Sequence, residues 1–315
     1  MKILMFGRGV IATVYGWALE QAGHDVEFYV RPGRAAQYGD TTSLDLRDTR
    51  RRVWGQRVEQ EWPVRFREEL EPDHDFDLIV LSVGHHRLTE AADFLAPRVG
   101  KATVLVFGNI WAEPLDAIGA LPAEQVAWGF PQAGGGFDEN GVLRGAILPS
   151  VLFGTVGPQT ERGRVVRRVF REAGFRIREE PDFRGWLLIH FVSDAGLFSQ
   201  GLRLGALADL AGRRRDLREA LLAGRELLPL VEARGVVVGR RALLFRAPTW
   251  LTAPLFAWLT AHFGPVRDNF ATHSDPEAEE PRVICRDTLA EARRLGVPAP
   301  RLAAAEPSFA AAPVQ

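Results

Sequence analysis

Residues 2–34, KILMFGRGVIATVYGWALEQAGHDVEFYVRPGR, decide the fold of this chain. Residues 2–6 are an apolar run without glycine or proline, which predicts a strand. Apolar residues then recur at helical spacing over positions 10–18, and Gly23 stands where a helix commonly ends. Residues 25–30 predict a second strand. This order of strand, turn, helix and strand is typical of the first unit of a parallel α/β sheet.

The turn between the first strand and the helix has the pattern Gly-x-Gly-x-x-Ala. Gly7 permits the tight turn, Gly9 lets a pyrophosphate approach the backbone, and Ala12 is small enough for close packing of helix on strand. The N–H groups at the start of the helix attract phosphate oxygens. We therefore predict a dinucleotide-binding turn, the alternative being a tight turn without a ligand. The residues expected to bind the cofactor here are Gly7, Arg8, Gly9, Val10, Ile11 and Ala12.

The end of the second strand indicates which dinucleotide binds. An NAD site usually has an acidic residue there, which accepts a hydrogen bond from the ribose 2′-hydroxyl. In this chain Arg31 and Arg34 flank a Pro-Gly pair, no acid stands at the tip, and Glu27 lies inside the strand. A guanidinium binds a 2′-phosphate through paired hydrogen bonds, whereas a carboxylate repels it. NADP is therefore favoured over NAD, the alternative being that both arginines lie on a solvated turn.

Length and composition restrict the kind of protein. The 315 residues suffice for two domains. The 39 basic and 40 acidic residues give a net charge of −1, which favours neither a nucleic acid nor an anionic membrane as partner. Cys285 is the single cysteine, which excludes a disulfide or a cysteine-based metal site within the chain. We see no signal peptide and no apolar run of membrane-spanning length, so we expect a cytoplasmic protein.

Strand and helix patterns alternate up to residue 178, which predicts a doubly wound parallel sheet. Residues 35–75 are polar and are expected to hold short strands and a connection. The other strands are expected at 77–83, 103–107, 125–130, 151–154 and 175–178, and helices at 88–96, 111–119 and 159–173. Ligands bind at the carboxyl ends of such strands, so Gly84, His85, Asn109 and a loop at 132–136 should lie near one another. The further residues expected at the cofactor are Ser82, Val83, Gly84 and Asn109.

The pattern changes after Pro181, where strand signals end. Helices are expected at 185–200, 206–234, 249–263 and 283–295. We therefore expect an NADP-binding Rossmann domain at 1–181 and a mostly helical domain at 182–315, with a small-molecule substrate in the cleft between them.

Residues 249–263 are apolar, contain Pro254 and are too short to span a bilayer. We expect them to form a core or subunit-interface helix. A substrate-pocket wall is the next alternative, and membrane contact is the least favoured. Because one small domain would not cover so long an apolar segment, the chain should form a homodimer through helices of its second domain.

The order of these motifs resembles the ketopantoate reductase family. The resemblance rests on the glycine turn, on residues 23–26 leading to Arg31, on Asn109 after an apolar strand, and on a last helix that runs into residues 294–300. It implies reduction of a 2-oxo acid with NADPH. It also implies an acid–base lysine early in the first helix of the second domain and an asparagine one helical turn later.

The chain departs from that family pattern at the lysine. The matching region, residues 184–194, contains no lysine, and the lysine usual after the fourth strand is also missing, since Gly84 or His85 stands there. Lys2 and Lys101 are the chain's two lysines, and both lie at strand starts. The resemblance therefore describes a divergent member that lacks the family's catalytic lysine.

His190 is our candidate for the missing proton donor. Asp194 follows four residues later on the same helical face, where a carboxylate would orient the imidazole and hold it protonated near neutral pH. The alternative is a buried structural pair. Asn109 is expected to hydrogen-bond the substrate or the nicotinamide, the alternative being a strand-end turn residue. Weaker candidates are His85, His86 and His273. No third ligand has convincing spacing for a metal.

Three functions are compatible with these residues. The first is an NADPH-dependent reductase of a small carbonyl or imine compound, similar to ketopantoate reductase. The second is an opine-type dehydrogenase, in which a histidine–carboxylate pair is the usual acid–base device. The third is a nucleotide-binding redox sensor or scaffold without catalysis, which the missing lysines favour.

Overall fold

The strand, helix and strand expected over residues 2–34 are present in the computed structural model of the chain, which describes residues 1–157, 160–271 and 278–310. The chain divides into two compact units, Met1–Phe183 and Arg184–Gln315. The first is an α/β unit of Rossmann type, and every described element of the second is helical. The predicted fold class is confirmed.

The first unit alternates strands and helices along most of its length. Its strands are β1 (Lys2–Phe6), β2 (Asp25–Tyr29), β3 (Thr41–Asp48), β4 (Gln56–Pro63), β5 (Phe66–Arg67), β6 (Leu78–Leu81), β7 (Thr103–Phe107), β8 (Val126–Phe130), β9 (Ala133–Phe137), β10 (Leu143–Ile147), β11 (Ser150–Gly154) and β12 (Arg176–Glu180). Its helices are α1 (Val10–Glu20), α2 (Ala35–Tyr38), α3 (His85–Leu95), α4 (Pro114–Ala117) and α5 (Glu161–Glu172).

The central sheet has the strand order β12-β11-β8-β7-β6-β1-β2-β5. Neighbouring strands are parallel except β8 and β11, which are antiparallel. Every residue of β6 and β7 is buried, as expected for parallel strands that are covered on both faces. Helix α1 packs Val14, Trp17 and Ala18 into the same core. Strands β5, β2, β1, β6, β7 and β8 therefore have their carboxyl ends at one edge of the sheet, whereas β11 and β12 run in the opposite direction.

A second sheet of four strands, in the order β4-β3-β10-β9, was not predicted. The expected loop at residues 132–136 is wrong for positions 133–136, because these residues form most of β9, antiparallel to β10. The glycines serve close packing there. A Cβ on Gly135 would lie 2.6 Å from the carbonyl oxygen of Arg144 and 3.0 Å from a methyl group of Val10. The glycine run thus brings β9 against β10 and the start of α1.

The second unit begins within the first turn of a long helix, α6. Its helices are α6 (Phe183–Leu204), α7 (Arg214–Glu226), α8 (Leu228–Ala233), α9 (Leu243–Arg246), α10 (Thr249–His262), α11 (Gly264–Ala271), α12 (Glu279–Arg294), α13 (Pro300–Ala305) and α14 (Pro307–Ala310). Helix α6 passes so close to α7 that a Cβ on Gly196 would lie 2.7 Å from the backbone nitrogen of Gly224. The single helix expected over 206–234 is divided into a short 3₁₀ turn, α7 and α8.

Helix α10 is buried on one face and exposed on the other. Thr252, Ala253 and Ala257 lie in the interior of the second unit. The opposite face exposes more than half of each of four large apolar side chains, those of Trp250, Leu251, Leu255 and Trp258. Among the described residues no helix is both long and apolar enough to cross a membrane.

Candidate functional site

The glycine turn lies between β1 and α1, as predicted. Gly7 has a positive φ of 92°, which favours glycine, and its N–H donates to the carbonyl of Tyr29 at 2.9 Å. Gly9 is extended, and a Cβ on either glycine would meet no atom within 4 Å. The turn is therefore fixed against β2 on one side and has open space beside its backbone on the other.

Helix α1 begins without any of the usual stabilising groups. Gly9 provides no side-chain cap, and the first turn contains no acidic residue. The N–H of Thr13 is the first to bond back, to the carbonyl of Gly9 at 2.9 Å. The N–H groups of Val10, Ile11 and Ala12 precede that bond and have no acceptor in the described part of the chain. These donors and the open glycine turn fit a bound pyrophosphate.

Arg8 extends from the turn towards the second sheet. Its guanidinium lies 4.4 Å from the ring centre of Phe137 and 4.9 Å from that of Tyr38, and it donates to the hydroxyl of Thr42 at 3.3 Å. Its Nε is buried and has no acceptor among the residues that the structure describes. Burial lowers the pKa of this guanidinium below its usual value. Arg8 is thus a half-buried cation with spare donor capacity beside the glycine turn.

Residues 31–35, here named the arginine turn, follow β2. Gly33 has a φ of 79°, and the N–H of Arg34 donates to the carbonyl of Arg31 at 3.1 Å, which closes the turn. Both arginines are exposed. The acid inside the strand, Glu27, accepts from Arg67 at 2.8 Å. The arginine turn therefore presents two guanidinium groups to solvent at the carboxyl end of β2.

Glu68, which the sequence interpretation missed, lies against the arginine turn. Its Oε1 accepts a hydrogen bond from the N–H of Ala35 at 2.7 Å. Hydrogen bonds from the N–H groups of Ala35, Gly33 and Arg34 lower the pKa of this carboxyl. No sequence signal near Arg31 indicated this residue, because it is 37 positions away and arrives through the pairing of β5 with β2.

Strand register brings further predicted residues to the same edge. Phe6 pairs with Leu81 and Leu81 pairs with Val106, so the segments after β1, β6 and β7 start side by side. A Cβ on Gly108 would lie 3.4 Å from the carbonyl oxygen of Val83, which shows how closely two of these segments approach. The predicted residues in them are Gly7, Ser82, Val83, Gly84 and Asn109.

Polar groups in these segments are partly or wholly withdrawn from solvent. The hydroxyl oxygen of Ser82 is buried and has no hydrogen-bond partner in the described ranges. Asn109 is half-buried. His85 and His86 start helix α3, with ring centres 5.6 Å apart. The three loops after β1, β6 and β7 therefore hold most of the residues expected at the cofactor.

The predicted histidine–carboxylate pair is present in the second unit. On α6, His190 Nε2 lies 3.3 Å from Asp194 Oδ2, and the imidazole stacks on Trp186 with ring centres 4.9 Å apart and planes inclined by 12°. Most of α6 is buried, but Trp186, His190, Asp194 and Leu197 form a half-buried stripe at helical spacing. The pair therefore lies on the one face of α6 where a small molecule could reach it.

The expectation that Asp194 holds the imidazole of His190 protonated near neutral pH is wrong. Although a third of the side chain is exposed, burial of the rest lowers the pKa of the imidazole to about 4. The cause is the loss of hydration, which disfavours the charged ring. His190 is therefore neutral near pH 7 in this structure.

Two other predictions concern metal ligands and histidine. No group of three or more metal-ligating side chains occurs in the described residues. His273 lies outside the described residues.

The fold and the glycine turn define a nucleotide-binding domain of Rossmann type. Residues 3–156 match the family model for ketopantoate reductase PanE/ApbA. The first unit is thus similar to the ketopantoate reductase family over most of its length, a stretch that is just under half of the chain. No curated protein matches the chain by sequence.

Solved structures share the fold over nearly the whole chain. A 2-dehydropantoate 2-reductase from Geobacter metallireducens GS-15 is 18% identical, with a TM-score of 0.71 over 98% of this chain and 99% of that one. D-mandelate dehydrogenase in complex with NADH is 13% identical, with a TM-score of 0.70 over 98% of both chains. A dimeric ketopantoate reductase from Staphylococcus aureus is 13% identical, with a TM-score of 0.60 over 98% of both chains.

Proposed function

We propose that the protein is an NADPH-dependent reductase of a small carbonyl or imine compound, with a 2-oxo acid as the favoured class of substrate. The observation that carries the proposal is the glycine turn, whose uncapped helix and neighbouring arginine turn fit the pyrophosphate and the 2′-phosphate of NADP. The family and the named structural neighbours are oxidoreductases, which supports the reaction class. Because one of those neighbours holds NADH, the choice of NADP rests on Arg31 and Arg34.

Each residue has a separate task in this proposal. NADPH, when bound, supplies a hydride. Asn109 donates or accepts a hydrogen bond at the substrate or the nicotinamide. His190 donates a proton from Nδ1 to the substrate oxygen or nitrogen on which negative charge develops. Asp194 holds the opposite edge of the ring through Nε2.

Because the pKa of His190 is low, proton donation by this residue requires a substrate that raises it. A neutral imidazole that donates Nε2–H to Asp194 has no proton on Nδ1 to transfer. A negative charge within a few ångströms favours the imidazolium form. The carboxylate of a 2-oxo acid would therefore help to protonate the residue that must donate the proton.

Two other functions have an observation in their favour. The 3.3 Å contact of His190 with Asp194 matches the histidine–carboxylate device of an opine-type dehydrogenase. The low pKa of His190, together with the missing lysine, favours a nucleotide-binding sensor or scaffold without catalysis.

The exposed face of α10 supports a homodimer. Trp250, Leu251, Leu255 and Trp258 form an apolar surface on a helix that carries no Asp, Glu, Lys or Arg. Such a surface is rarely left in water by a monomer, and a second copy of the chain can cover it by two-fold symmetry.

A titration with NADPH followed by a turnover assay tests the reductase. The protein should bind NADPH and should oxidise it with at least one of a panel of 2-oxo acids, ketones and imines. If NADPH is oxidised when a 2-oxo acid and an amino acid are both present, but not with either alone, the reaction is of the opine type. Binding without turnover for any member of the panel would indicate the sensor or scaffold.

A further inference from the structure

Glu68 is an acidic residue that lies at the tip of β2 but follows strand β5 in the sequence. Strand β5 pairs with β2 in parallel, Tyr29 with Arg67, and the N–H of Val30 donates to the carbonyl of Arg67 at 2.9 Å. The next residue in β5's direction is Glu68, beside the first residues of the arginine turn. It thus occupies the region where NAD sites place the acid that binds the ribose.

The carboxylate of Glu68 is engaged by the backbone of the arginine turn. Its Oε1 accepts a hydrogen bond from the N–H of Ala35 at 2.7 Å, and the N–H groups of Gly33 and Arg34 also favour its charged form. Arg34, which precedes helix α2, makes no side-chain cap of its own. Glu68 therefore gives the N–H of Ala35 an acceptor within the protein.

The hydrogen bonding of Glu68 differs from that of an acid that selects NAD. Such an acid directs its oxygens to the ribose hydroxyls, whereas an oxygen of Glu68 accepts from the backbone of the arginine turn at Ala35. The N–H dipoles of that backbone offset part of its negative charge. The side chains of Arg31 and Arg34 are exposed, and Arg34 also donates to Gln37 at 2.8 Å.

We propose that Glu68 is a positioning residue for recognition of the 2′-phosphate: its carboxylate fastens the arginine turn in the conformation that presents Arg31 and Arg34. This inference rests on the proposed use of NADPH. A turn that is already ordered loses less conformational entropy when the phosphate binds. Removal of the carboxylate should therefore weaken the binding of NADPH. The binding of NADH, which has no 2′-phosphate, should not change.

The test is a fluorescence titration of the full chain with each cofactor. Glu68→Ala should weaken the binding of NADPH roughly 3- to 10-fold. Glu68→Gln, which keeps one acceptor oxygen, should weaken it less. Glu69→Ala, a change of the exposed neighbouring acid, is the matched control and should bind like the wild type. In a background with both Arg31→Ala and Arg34→Ala, Glu68→Ala should have little further effect on NADPH binding, because the arginines through which it acts are gone.

Hydrogen exchange gives a readout that needs no cofactor. The amides of residues 33–35 should exchange faster in Glu68→Ala than in the wild type. Unchanged exchange would show that the carboxylate does not hold the turn and would overturn the inference.

Two results of the titration would also overturn it. Tighter NADPH binding in Glu68→Gln would show that the carboxylate opposes the phosphate, as an NAD-selecting acid does. Equal weakening of NADPH and NADH would show a general structural role. By contrast, a wild-type protein that binds NADH as well as NADPH would contradict the proposed cofactor choice itself.

Discussion

The stability of the folded chain should depend on pH through His190. Burial lowers the pKa of this imidazole to about 4, whereas an unfolded chain has a histidine pKa of about 6.5. Between these two values the unfolded chain binds a proton that the folded chain does not bind. The stability that the neutral ring contributes is therefore fully present above about pH 6.5 and is lost as the pH falls towards 4.

The size of the effect follows from the shift and from the exposure of the ring. Each pKa unit corresponds to about 1.4 kcal/mol, so the whole shift would correspond to about 3 kcal/mol for a fully buried group. The side chain of His190 is 33% exposed, and solvent screens part of this energy. We expect the wild type to lose about 1–2 kcal/mol through this residue between about pH 7 and about pH 5.

Urea unfolding at the two pH values, followed by tryptophan fluorescence, measures this loss. Gln at position 190 cannot titrate but can still donate to Asp194, so His190→Gln should lose less stability than the wild type. His86→Gln, a change of an exposed histidine, is the control and should behave like the wild type. The reasoning is refuted if His190→Gln and the wild type lose the same free energy of unfolding.

Three further substitutions test the cofactor site, the proton donor and the assembly. Arg31→Ala should weaken NADPH roughly 10- to 100-fold in a binding titration and leave NADH nearly unchanged, and equal losses would contradict the assignment. His190→Ala should lower kcat about 10²–10⁴-fold in a steady-state assay while NADPH affinity barely changes, whereas full activity would make this histidine a packing residue. Trp258→Glu should convert the proposed homodimer to a monomer in light scattering, because it places a charge on the apolar face of α10, and a wild-type monomer at micromolar concentration would refute the dimer.

The sequence predicted the local features of the nucleotide domain well. Gly7 and Gly9 stand at a turn whose backbone requirement is short-range, and the apolar runs of β6 and β7 are long enough to identify buried strands. The pairing of His190 with Asp194 was also predictable, because four residues are one turn of a helix.

Features that depend on distant parts of the chain were not predictable in the same way. Glu68 reaches the arginine turn through strand pairing, which no spacing near β2 reveals. The glycines of β9 are needed for close packing on β10. In the sequence alone, such a run of glycines is typical of a flexible loop. The neutral state of His190 depends on how completely the second unit removes water from one ring, which a helical pattern does not determine.

Transfer of deuterium from NADPH labelled at the reactive carbon of its nicotinamide tests the central claim most directly. The labelled cofactor is incubated with the protein and the panel of 2-oxo acids, ketones and imines, and the products are analysed by mass spectrometry. An NADPH-dependent reductase should convert a 2-oxo acid to a 2-hydroxy acid that carries the label on the former carbonyl carbon. Cofactor labelled on one face of the nicotinamide and cofactor labelled on the other face are tested separately. If the protein binds NADPH but no product of the panel, imines and ketones included, carries the label, the chain is not the reductase proposed here.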